Sequence, residues 1–394
     1  MTFLDKFLSF LPEVKGPLEK KVSFKTKLVW TLIILAFFFI LGVIPLYGLG
    51  ANALSQFEQL SIILGASFGA ITSLGIGPIV TASIVLQLLA GSGILKLDTT
   101  TPEGRKLFQG IQKIMILFFI VFESLIYVLM GGLAPSSNLP LGAFRVIQFV
   151  LVAQLFIGGL LIMYMDEVIN KWGFGSGISL FIAAGVSSQV FIRAFSPLSA
   201  FGNWALGTGE AAVGQVWVLF TSLLSRNPTG AFLAATTITA TILIFLISVY
   251  FQSMKVEIPL SFGRIRGHGI RWPLRFLYTS NIPVILIAAL LANIQLLATL
   301  LANSGRPWLG TFTGNTPTSG IVTWLFPPQI ITNLITGSFR SIDLAHTLSY
   351  ILIMMGGAVL FSYFWVQTSG MYSGSQAKQI MASGLQIPVF RRDQ

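Results

Sequence analysis

The sequence contains no cysteine and few charged residues, and each shortage excludes whole classes of protein. Without cysteine there is no disulfide, no thiolate nucleophile and no iron–sulfur or cysteine–zinc site. Charged residues occupy 9% of the 394 positions and hydrophobic residues 54%. Soluble domains carry about 25% charged residues, so this composition indicates a membrane protein.

Motifs for catalysis and for nucleotide binding are missing as well. No G-x-x-x-x-G-K-[ST] sequence occurs, so the chain has no P-loop for binding a nucleotide. Any energy that its function requires must therefore come from a partner. The two histidines, His268 and His346, lie far apart, and no H-E-x-x-H sequence occurs. We therefore expect neither enzymatic activity nor a bound metal or cofactor.

Long apolar runs are abundant. Since a helix needs about 20 apolar residues to cross the hydrocarbon layer, they predict eight spans. The spans are residues 28 to 48, 77 to 95, 114 to 133, 146 to 165, 176 to 196, 231 to 253, 282 to 302 and 346 to 367. With a cytosolic N-terminus, 19 of the 24 lysines and arginines fall inside. The other five are Arg145, Arg193, Arg226, Arg306 and Arg340. The positive-inside rule therefore predicts two cytosolic termini.

Two segments do not fit simple crossings. Residues 3 to 11 have an apolar stripe, which predicts a short helix on the membrane surface or, alternatively, one packed on the protein. Residues 59 to 95 lack charge yet allow only one net crossing, which residues 75 to 95 supply. The segment 55 to 72 should then fold back as a half-helix into a protein-lined cavity, or lie flat in the outer interface. Gly65 and Gly69 are spaced to let that helix pack closely.

Glu123 is the deepest acidic residue of the predicted spans. It lies ten residues beyond Lys113, about 15 Å along a helix and so near the middle of the membrane. An unpartnered acid there costs about 2.5 to 3.5 kcal/mol on insertion scales. Glu123 is therefore expected to have polar partners on neighbouring helices.

Four blocks of sequence resemble the SecY family of protein-conducting channels, its archaeal and eukaryotic branch in particular. The blocks are GIGPIVTASIVLQLLAGSGIL (75–95), PEGRKLFQGIQK (102–113), DEVINKWGFGSGISLFIAAGVS (166–187) and TSNIPVILIAALLANIQ (279–295). The resemblance implies an all-α polytopic fold with inverted five-helix repeats and a re-entrant plug half-helix. The family has ten spans, so the last two are expected to be missing. It implies an N-terminal half at 1–197 and a C-terminal half at 198–394.

The resemblance also assigns an apolar pore ring and a plug that rests on it. The ring residues are Ile76, Val80, Ile178, Ile182 and Ile285. The plug residues are Leu60, Ile62, Ile63, Leu64, Gly65 and Gly69. A narrow aliphatic ring suits a channel that must pass polypeptide and exclude ions.

A lateral gate and a docking surface complete the expected sites. By resemblance, Thr81, Gln87 and Asn293 join Glu123 in a polar cluster that closes the gate. Basic loop residues meet ribosomal RNA phosphates in the family. Here they are Lys255, Arg264, Arg266, Arg271, Arg275, Lys378, Arg391 and Arg392. Prolines and glycines predict that the loop 254 to 278 is irregular, and its bases could instead serve only to fix topology.

The implied function is the central pore subunit of the Sec translocase, conducting unfolded polypeptide and releasing apolar segments into lipid. The implied partners are a SecE-type gamma subunit, a small beta subunit, and the ribosome or a targeting receptor. We expect a multi-pass protein of the plasma membrane. A secondary transporter is the alternative, although such proteins usually place several ionisable residues along their pathway.

Overall fold

The computed structural model describes most of the chain. The described residues are 13–17, 22–52, 65–91, 94–95, 102–136, 139–199, 203–208, 210–262, 269–279, 282–313, 316–369, 371–382 and 385–386. The predicted surface helix at residues 3 to 11 lies outside them, as do residues 55 to 64 of the predicted plug.

Helices make up most of the described chain. They are α1 (Phe24–Val43), α2 (Gly77–Gly91), α3 (Pro102–Leu129), α4 (Leu141–Trp172), α5 (Gly177–Phe195), α6 (Gln215–Leu224), α7 (Pro228–Ser253), α8 (Ile282–Asn303), α9 (Ile321–Leu325), α10 (Ile330–Ile335), α11 (Ser341–Thr368) and α12 (Ser373–Ala382). A 3₁₀ turn (Ile71–Leu74) precedes α2. The strands are β1 (Leu49–Asn52), β2 (Leu133–Pro135), β3 (Lys255–Phe262), β4 (Gly269–Arg275), β5 (Phe312–Thr313), β6 (Thr316–Pro317) and β7 (Leu385–Gln386).

Eight membrane-length segments occur among the described residues, which confirms the predicted number. They are α1, the 3₁₀ turn together with α2, α3, α4, α5, α7, α8 and α11. Local caps define several starts. Ser23 accepts the N–H of Thr26 at 3.2 Å before α1, and Asn227 accepts the N–H of Gly230 at 3.2 Å before α7.

The first span ends earlier than its hydropathy predicts. The predicted end at residue 48 is wrong, because α1 ends at Val43 and Ile44 is extended. Ile44 precedes Pro45, and proline disfavours a helical conformation of the residue before it. The freed backbone pairs instead with the 3₁₀ turn, where the N–H of Ile71 donates to the Ile44 carbonyl at 3.0 Å.

Contacts group the chain into two units, and the first comprises Met1–Leu86, Lys106–Gln189 and Leu286–Pro327. Glycines bring α4 close to its neighbours there. A Cβ on Gly158 would overlap the carbonyl oxygen of Ile71 in the 3₁₀ turn. A Cβ on Gly159 would lie 2.7 Å from Cγ2 of Ile120 on α3. Only glycine allows this close approach.

The second unit comprises Gln87–Arg105, Val190–Ile285 and Pro328–Gln394. Within it α6 and α7 pack as a helical hairpin around buried Ala234. β4, β3 and β7 form a sheet in that order. The predicted halves, 1–197 and 198–394, concern internal symmetry and stay a prediction.

The prediction that the loop 254 to 278 is irregular is wrong, because β3 and β4 form an antiparallel hairpin. Seven residue pairs run from Lys255 and Arg275 to Ser261 and Gly269. The prediction weighted proline and glycine above the alternation of apolar and polar residues in both strands. In an antiparallel ladder, every second residue pair exchanges no hydrogen bonds, and the backbone N–H groups of such a pair point away from the partner strand. The pairs of Pro259 with Arg271 and of Pro273 with Glu257 are two positions apart, so both prolines can occupy pairs of this kind.

Candidate functional site

Three polar side chains from three helices meet in the first unit. The Thr81 hydroxyl of α2 donates to Oε1 of Glu123 on α3 at 3.2 Å, and it shares its proton with the Gly77 carbonyl of its own helix at 2.9 Å. Asn293 of α8 donates its side-chain amide to the Thr81 hydroxyl at 2.9 Å. We call these three residues the polar seam. The predicted partners Thr81 and Asn293 are thus brought to Glu123.

The fourth predicted member of this cluster is not bonded to the other three. Gln87 lies six residues beyond Thr81 on α2 and is only 5% exposed. Its Oε1 has no hydrogen-bond partner among the described residues. Gln87 is therefore a buried amide outside the polar seam.

The carboxylate of Glu123 accepts a hydrogen bond through one of its two oxygens. The residue is 9% exposed, and Ile120 and Tyr127 on the same helix are buried beside it. Its second oxygen, Oε2, has no hydrogen-bond partner within the described part of the chain. Because a buried polar atom without a partner is costly, the polar seam is only partly satisfied as it stands.

Four of the five predicted ring residues belong to the first unit. Ile76 and Val80 are fully buried, and the N–H of Val80 donates to the Ile76 carbonyl at 3.0 Å. Ile178 and Ile182 on α5 are half-buried. Ile285 is half-buried in the second unit. Their shared role as a ring stays a prediction.

The end of the predicted plug reaches this group. A Cβ on Gly65 would lie 3.9 Å from two side-chain carbons of Ile76 and 4.0 Å from the carbonyl oxygen of Phe181. Phe181 stands between Ile178 and Ile182 on α5. The segment that precedes the 3₁₀ turn therefore sits directly against the predicted ring.

The two plug glycines serve a turn rather than a helix. Gly65 has φ +53 and Gly69 has φ +98, both in the left-handed region that glycine favours. Gly69 also donates its N–H to the Ser73 hydroxyl at 2.9 Å. The prediction that they pack a helix closely is wrong for this reason. Leu60, Ile62, Ile63 and Leu64 lie outside the described residues.

Sequence reasoning missed a charged cluster at one end of α4. Glu167 pairs with Lys113 of α3 at 3.0 Å and with Lys171 one turn further along α4 at 3.0 Å. It also accepts the backbone N–H of Val14 at 3.1 Å. We call Glu167, Lys113, Lys171 and Val14 the carboxylate clamp. The spacing of Glu167 and Lys171 was the only local signal, because the other partners are distant in sequence.

Asp166, next to the carboxylate clamp, was also missed. Its Oδ1 accepts the N–H of Ile178 at 2.9 Å, and so caps the first turn of α5. A Cβ on Gly177 would come within 2.6 Å of the same oxygen. The carboxylate thus fixes where the helix bearing Ile178 and Ile182 begins.

The predicted docking bases are only partly described. Lys255, Arg271 and Arg275 are exposed on one face of the β3–β4 hairpin. Glu257 on that face pairs with Lys255 at 3.0 Å and with Arg271 at 3.2 Å. The hydrogen bond from Lys255 and then that from Arg271 lower the pKa of Glu257.

The remaining docking bases carry no side-chain description. Lys378 lies on α12, but its side chain is outside the described part. Arg264, Arg266, Arg391 and Arg392 fall outside the described residues altogether.

Comparison with known proteins identifies the family. The profile described as SecY matches residues 70–394, and that described as the plug domain of Sec61p matches residues 38–69. The protein translocase subunit SecY of Methanothermobacter thermautotrophicus is 45% identical over 393 residues. That match covers 98% of this chain and 82% of the relative.

The chain belongs to the SecY family. Among solved structures, one described as a protein-conducting channel resembles it with a TM-score of 0.79 and 38% identity, covering 98% of this chain and 83% of the other. Sec61 in the canine ribosome–channel complex from the endoplasmic reticulum has a TM-score of 0.75 and 38% identity. That match covers 96% of this chain and 80% of the other.

Family membership settles two questions that the sequence raised. SecY proteins are components of a protein translocase and not enzymes, so the expectation of no enzymatic activity is confirmed. The comparisons give no support to a secondary transporter. The expected all-α polytopic fold with SecY-type architecture is confirmed as well.

Proposed function

We propose that this chain is the pore-forming subunit of a protein translocase, and that the polar seam is its lateral gate. The observation that carries the gate is the pair of hydrogen bonds joining α2 to both α3 and α8. Of these two bonds, the one from Asn293 to Thr81 is the polar contact that separation of α2 from α8 breaks. An apolar segment of a passing polypeptide leaves for the lipid there.

The strength of the polar seam suits a gate. Interhelical hydrogen bonds in membranes contribute about 0.6 to 2 kcal/mol each, so the bond between Asn293 and Thr81 holds α2 against α8 by about that amount. Such a margin keeps a gate mostly closed at rest. A leucine contributes about 0.6 kcal/mol on insertion scales, so an apolar segment with several of them suffices to open it.

The constriction and the plug form the second part of the proposal. Burial of Ile76 and Val80, and the proximity of Gly65 to Ile76, support an apolar constriction with the plug resting on it. An aliphatic constriction without water blocks ions when it is empty. Ile178, Ile182 and Ile285 are assigned to the same ring on the strength of the resemblance.

The third part concerns partners and location. A solved relative is described as Sec61 in a ribosome–channel complex. The exposed bases Lys255, Arg271 and Arg275 support ribosome docking at the β3–β4 hairpin. We further propose a SecE-type gamma subunit, a small beta subunit, a plasma-membrane location and two cytosolic termini. Positive charge on one side of the spans supports this orientation.

The gate is tested by replacing Glu123. Glu123→Leu removes the acceptor of the Thr81 hydroxyl, so substrates with weakened signal sequences should be translocated several-fold more. The measurement is translocation of matched substrates with intact and weakened signals in proteoliposomes. Phe122→Leu, at an exposed neighbouring position of α3, is the matched control. Unchanged selectivity in Glu123→Leu would contradict the gate.

Docking is tested by charge reversal on the hairpin. Arg271→Glu together with Arg275→Glu should reduce ribosome binding at least tenfold, and the remaining binding should depend less on salt. Arg306→Glu, predicted on the opposite side, is the control. If both variants bind ribosomes equally well, the bases of the hairpin serve topology only.

A further inference from the structure

The carboxylate clamp joins three separate segments through one side chain. Glu167 uses Oε2 for Lys113 on α3 and Oε1 for both Lys171 and the backbone N–H of Val14. Its side chain is 18% exposed, as is that of Lys113. Charge-assisted hydrogen bonds with this little exposure to water are stronger than surface ion pairs.

The N-terminal segment is bound at the same place. Lys171 donates to the Val14 carbonyl at 2.5 Å and to Glu13 at 2.6 Å. Trp172 donates its indole N–H to the Lys15 carbonyl at 2.9 Å. Residues 13–17 therefore lie across the end of α4. They bond both Glu167 and Lys171, the two clamp residues that belong to α4.

The clamp holds one end of α3 against α4, and a second close contact lies further along both helices. At the other point, Ile120 packs against Gly159, where a Cβ would come within 2.7 Å. Lys113 and Ile120 are seven residues apart on α3, and Glu167 and Gly159 are eight apart on α4, as expected for antiparallel neighbours. Because the two helices are closely packed at Gly159, a tilt of α3 against α4 would turn about this contact.

Glu123 lies on the far side of that contact. It is three residues beyond Ile120, whereas Lys113 is seven residues before it, which gives arms of about 4.5 and 10.5 Å along the helix. A tilt that moves the Lys113 end by 2 Å would move Glu123 by about 0.9 Å. The bond between Thr81 and Glu123 is already 3.2 Å long, so a shift of that size away from Thr81 would lengthen it to about 4 Å and break it.

We propose that Glu167 is a positioning residue of the lateral gate. Through Lys113 it fixes the tilt of α3 about the contact of Ile120 with Gly159, and so holds Glu123 within reach of Thr81. This inference rests on the proposed role of the polar seam. It adds that the N-terminal segment, bound by the same carboxylate, is coupled to the gate.

The first test measures the tilt itself and needs no assumption about gating. The chain contains no cysteine, so spin labels can be attached to Lys25→Cys on α1 and Lys106→Cys on α3 without removing native thiols. Lys106 is 14 residues before Ile120, so a 0.9 Å shift of Glu123 corresponds to about 4 Å at Lys106. Pulsed electron resonance resolves that distance.

In this test, Glu167→Gln and Lys113→Gln should each shift or broaden the distance distribution by about 4 Å relative to the otherwise native chain. Glu13→Gln is the matched control, because it removes a carboxylate from Lys171 without touching the link to α3. Identical distributions for the native chain, Glu167→Gln and Glu13→Gln would overturn the proposal.

The second test asks whether Glu167 acts through Glu123. Glu167→Gln alone should raise translocation of weak-signal substrates two- to fivefold, in the same direction as Glu123→Leu. The double variant should equal Glu123→Leu alone, because displacing residue 123 has no further effect once its hydrogen-bond acceptor is gone. If the two effects multiply, Glu167 does not act through Glu123. If Glu123→Leu alone has no effect, the gate fails, and the spin-label distances still decide the role of the clamp.

Discussion

Two membrane segments have contrasting surroundings. Within Ile71–Ala90, which includes most of α2, 67% of an apolar 18-residue stretch is buried in the protein, whereas 6% of such a stretch in α7 is buried. The buried segment is the less hydropathic of the two. The Thr81 hydroxyl bonds the Gly77 carbonyl of its own helix at 2.9 Å and also Glu123 of another helix at 3.2 Å. The Thr237 hydroxyl on α7 bonds the Leu233 carbonyl of its own helix at 2.9 Å.

This difference shows how polarity sorts spans in a membrane. Lipid solvates apolar side chains as well as protein does, so an entirely apolar helix gains little from burial. A helix with hydroxyl and amide groups gains hydrogen-bond partners when other helices surround it. The moderately apolar α2 is therefore held inside the first unit by the contacts that we assign to the gate.

The largest expected effect comes from truncating the same residue type on both segments. Leu86 of α2 is fully buried, so Leu86→Ala should destabilise the protein by about 2 to 5 kcal/mol through lost packing and a cavity. Leu246 of α7 is 56% exposed, and Leu246→Ala should cost less than about 1 kcal/mol. Reversible unfolding in mixed micelles measures both. Equal losses of stability in the two variants would contradict the difference in burial between α2 and α7.

Adding one methyl group gives the next largest effect. Gly158→Ala on α4 would push against the Ile71 carbonyl and should cost about 1 to 3 kcal/mol. Gly356→Ala on α11 meets nothing within 4 Å, and should stabilise the helix by up to about 1 kcal/mol. The same unfolding assay applies. A neutral Gly158→Ala would mean that the 3₁₀ turn yields easily.

Removing a hydroxyl sharpens the comparison further. Thr81→Val keeps the shape of the side chain but loses both bonds of the polar seam, so it should destabilise the closed gate by about 1 to 2 kcal/mol. Thr237→Val loses only a bond within its own helix and should change little. The fraction of closed gate can be followed by cross-linking between α2 and α8. Similar results for both variants would mean that the polar seam contributes nothing to closure.

The smallest effect is expected at the exposed edge of the carboxylate clamp. The hydrogen bond from Lys171 lowers the pKa of Glu13, so its contribution to stability is present above the unfolded-state pKa and is lost as pH falls through the folded-state value. The Glu13 side chain is 72% exposed, so Glu13→Gln should cost at most about 0.5 kcal/mol near neutral pH. The difference between the native chain and Glu13→Gln should shrink as the pH falls below the unfolded-state pKa of about 4.3, and vanish once the pH is below the lowered folded-state pKa. A difference in stability that persists at acidic pH would contradict a lowered pKa of Glu13 in the folded state.

Hydropathy predicted the number of spans because insertion depends on composition alone. It failed at Val43, where the backbone preference of the residue before Pro45 ended the helix. There, local backbone chemistry outweighed the average over a window. The prediction of an irregular loop, which rested on prolines and glycines, failed at the β3–β4 hairpin, where both strands alternate apolar and polar residues despite Pro259 and Pro273.

The candidate site divides in the same way. The depth of Glu123 could be read from its distance to Lys113, and the resemblance supplied Thr81 and Asn293. The link from Glu167 to Lys113 could not be predicted, because it joins residues 54 positions apart and depends on how α3 packs on α4. Gln87 was placed in the cluster by resemblance, yet it makes no bond to the polar seam.

The most direct test of the account closes the polar seam covalently. Thr81→Cys and Asn293→Cys would be joined by a short, reducible thiol cross-linker in this cysteine-free chain. We predict that cross-linking abolishes insertion of an apolar segment into lipid, and that reduction restores it. Full insertion with the cross-link intact would show that apolar segments leave by another route.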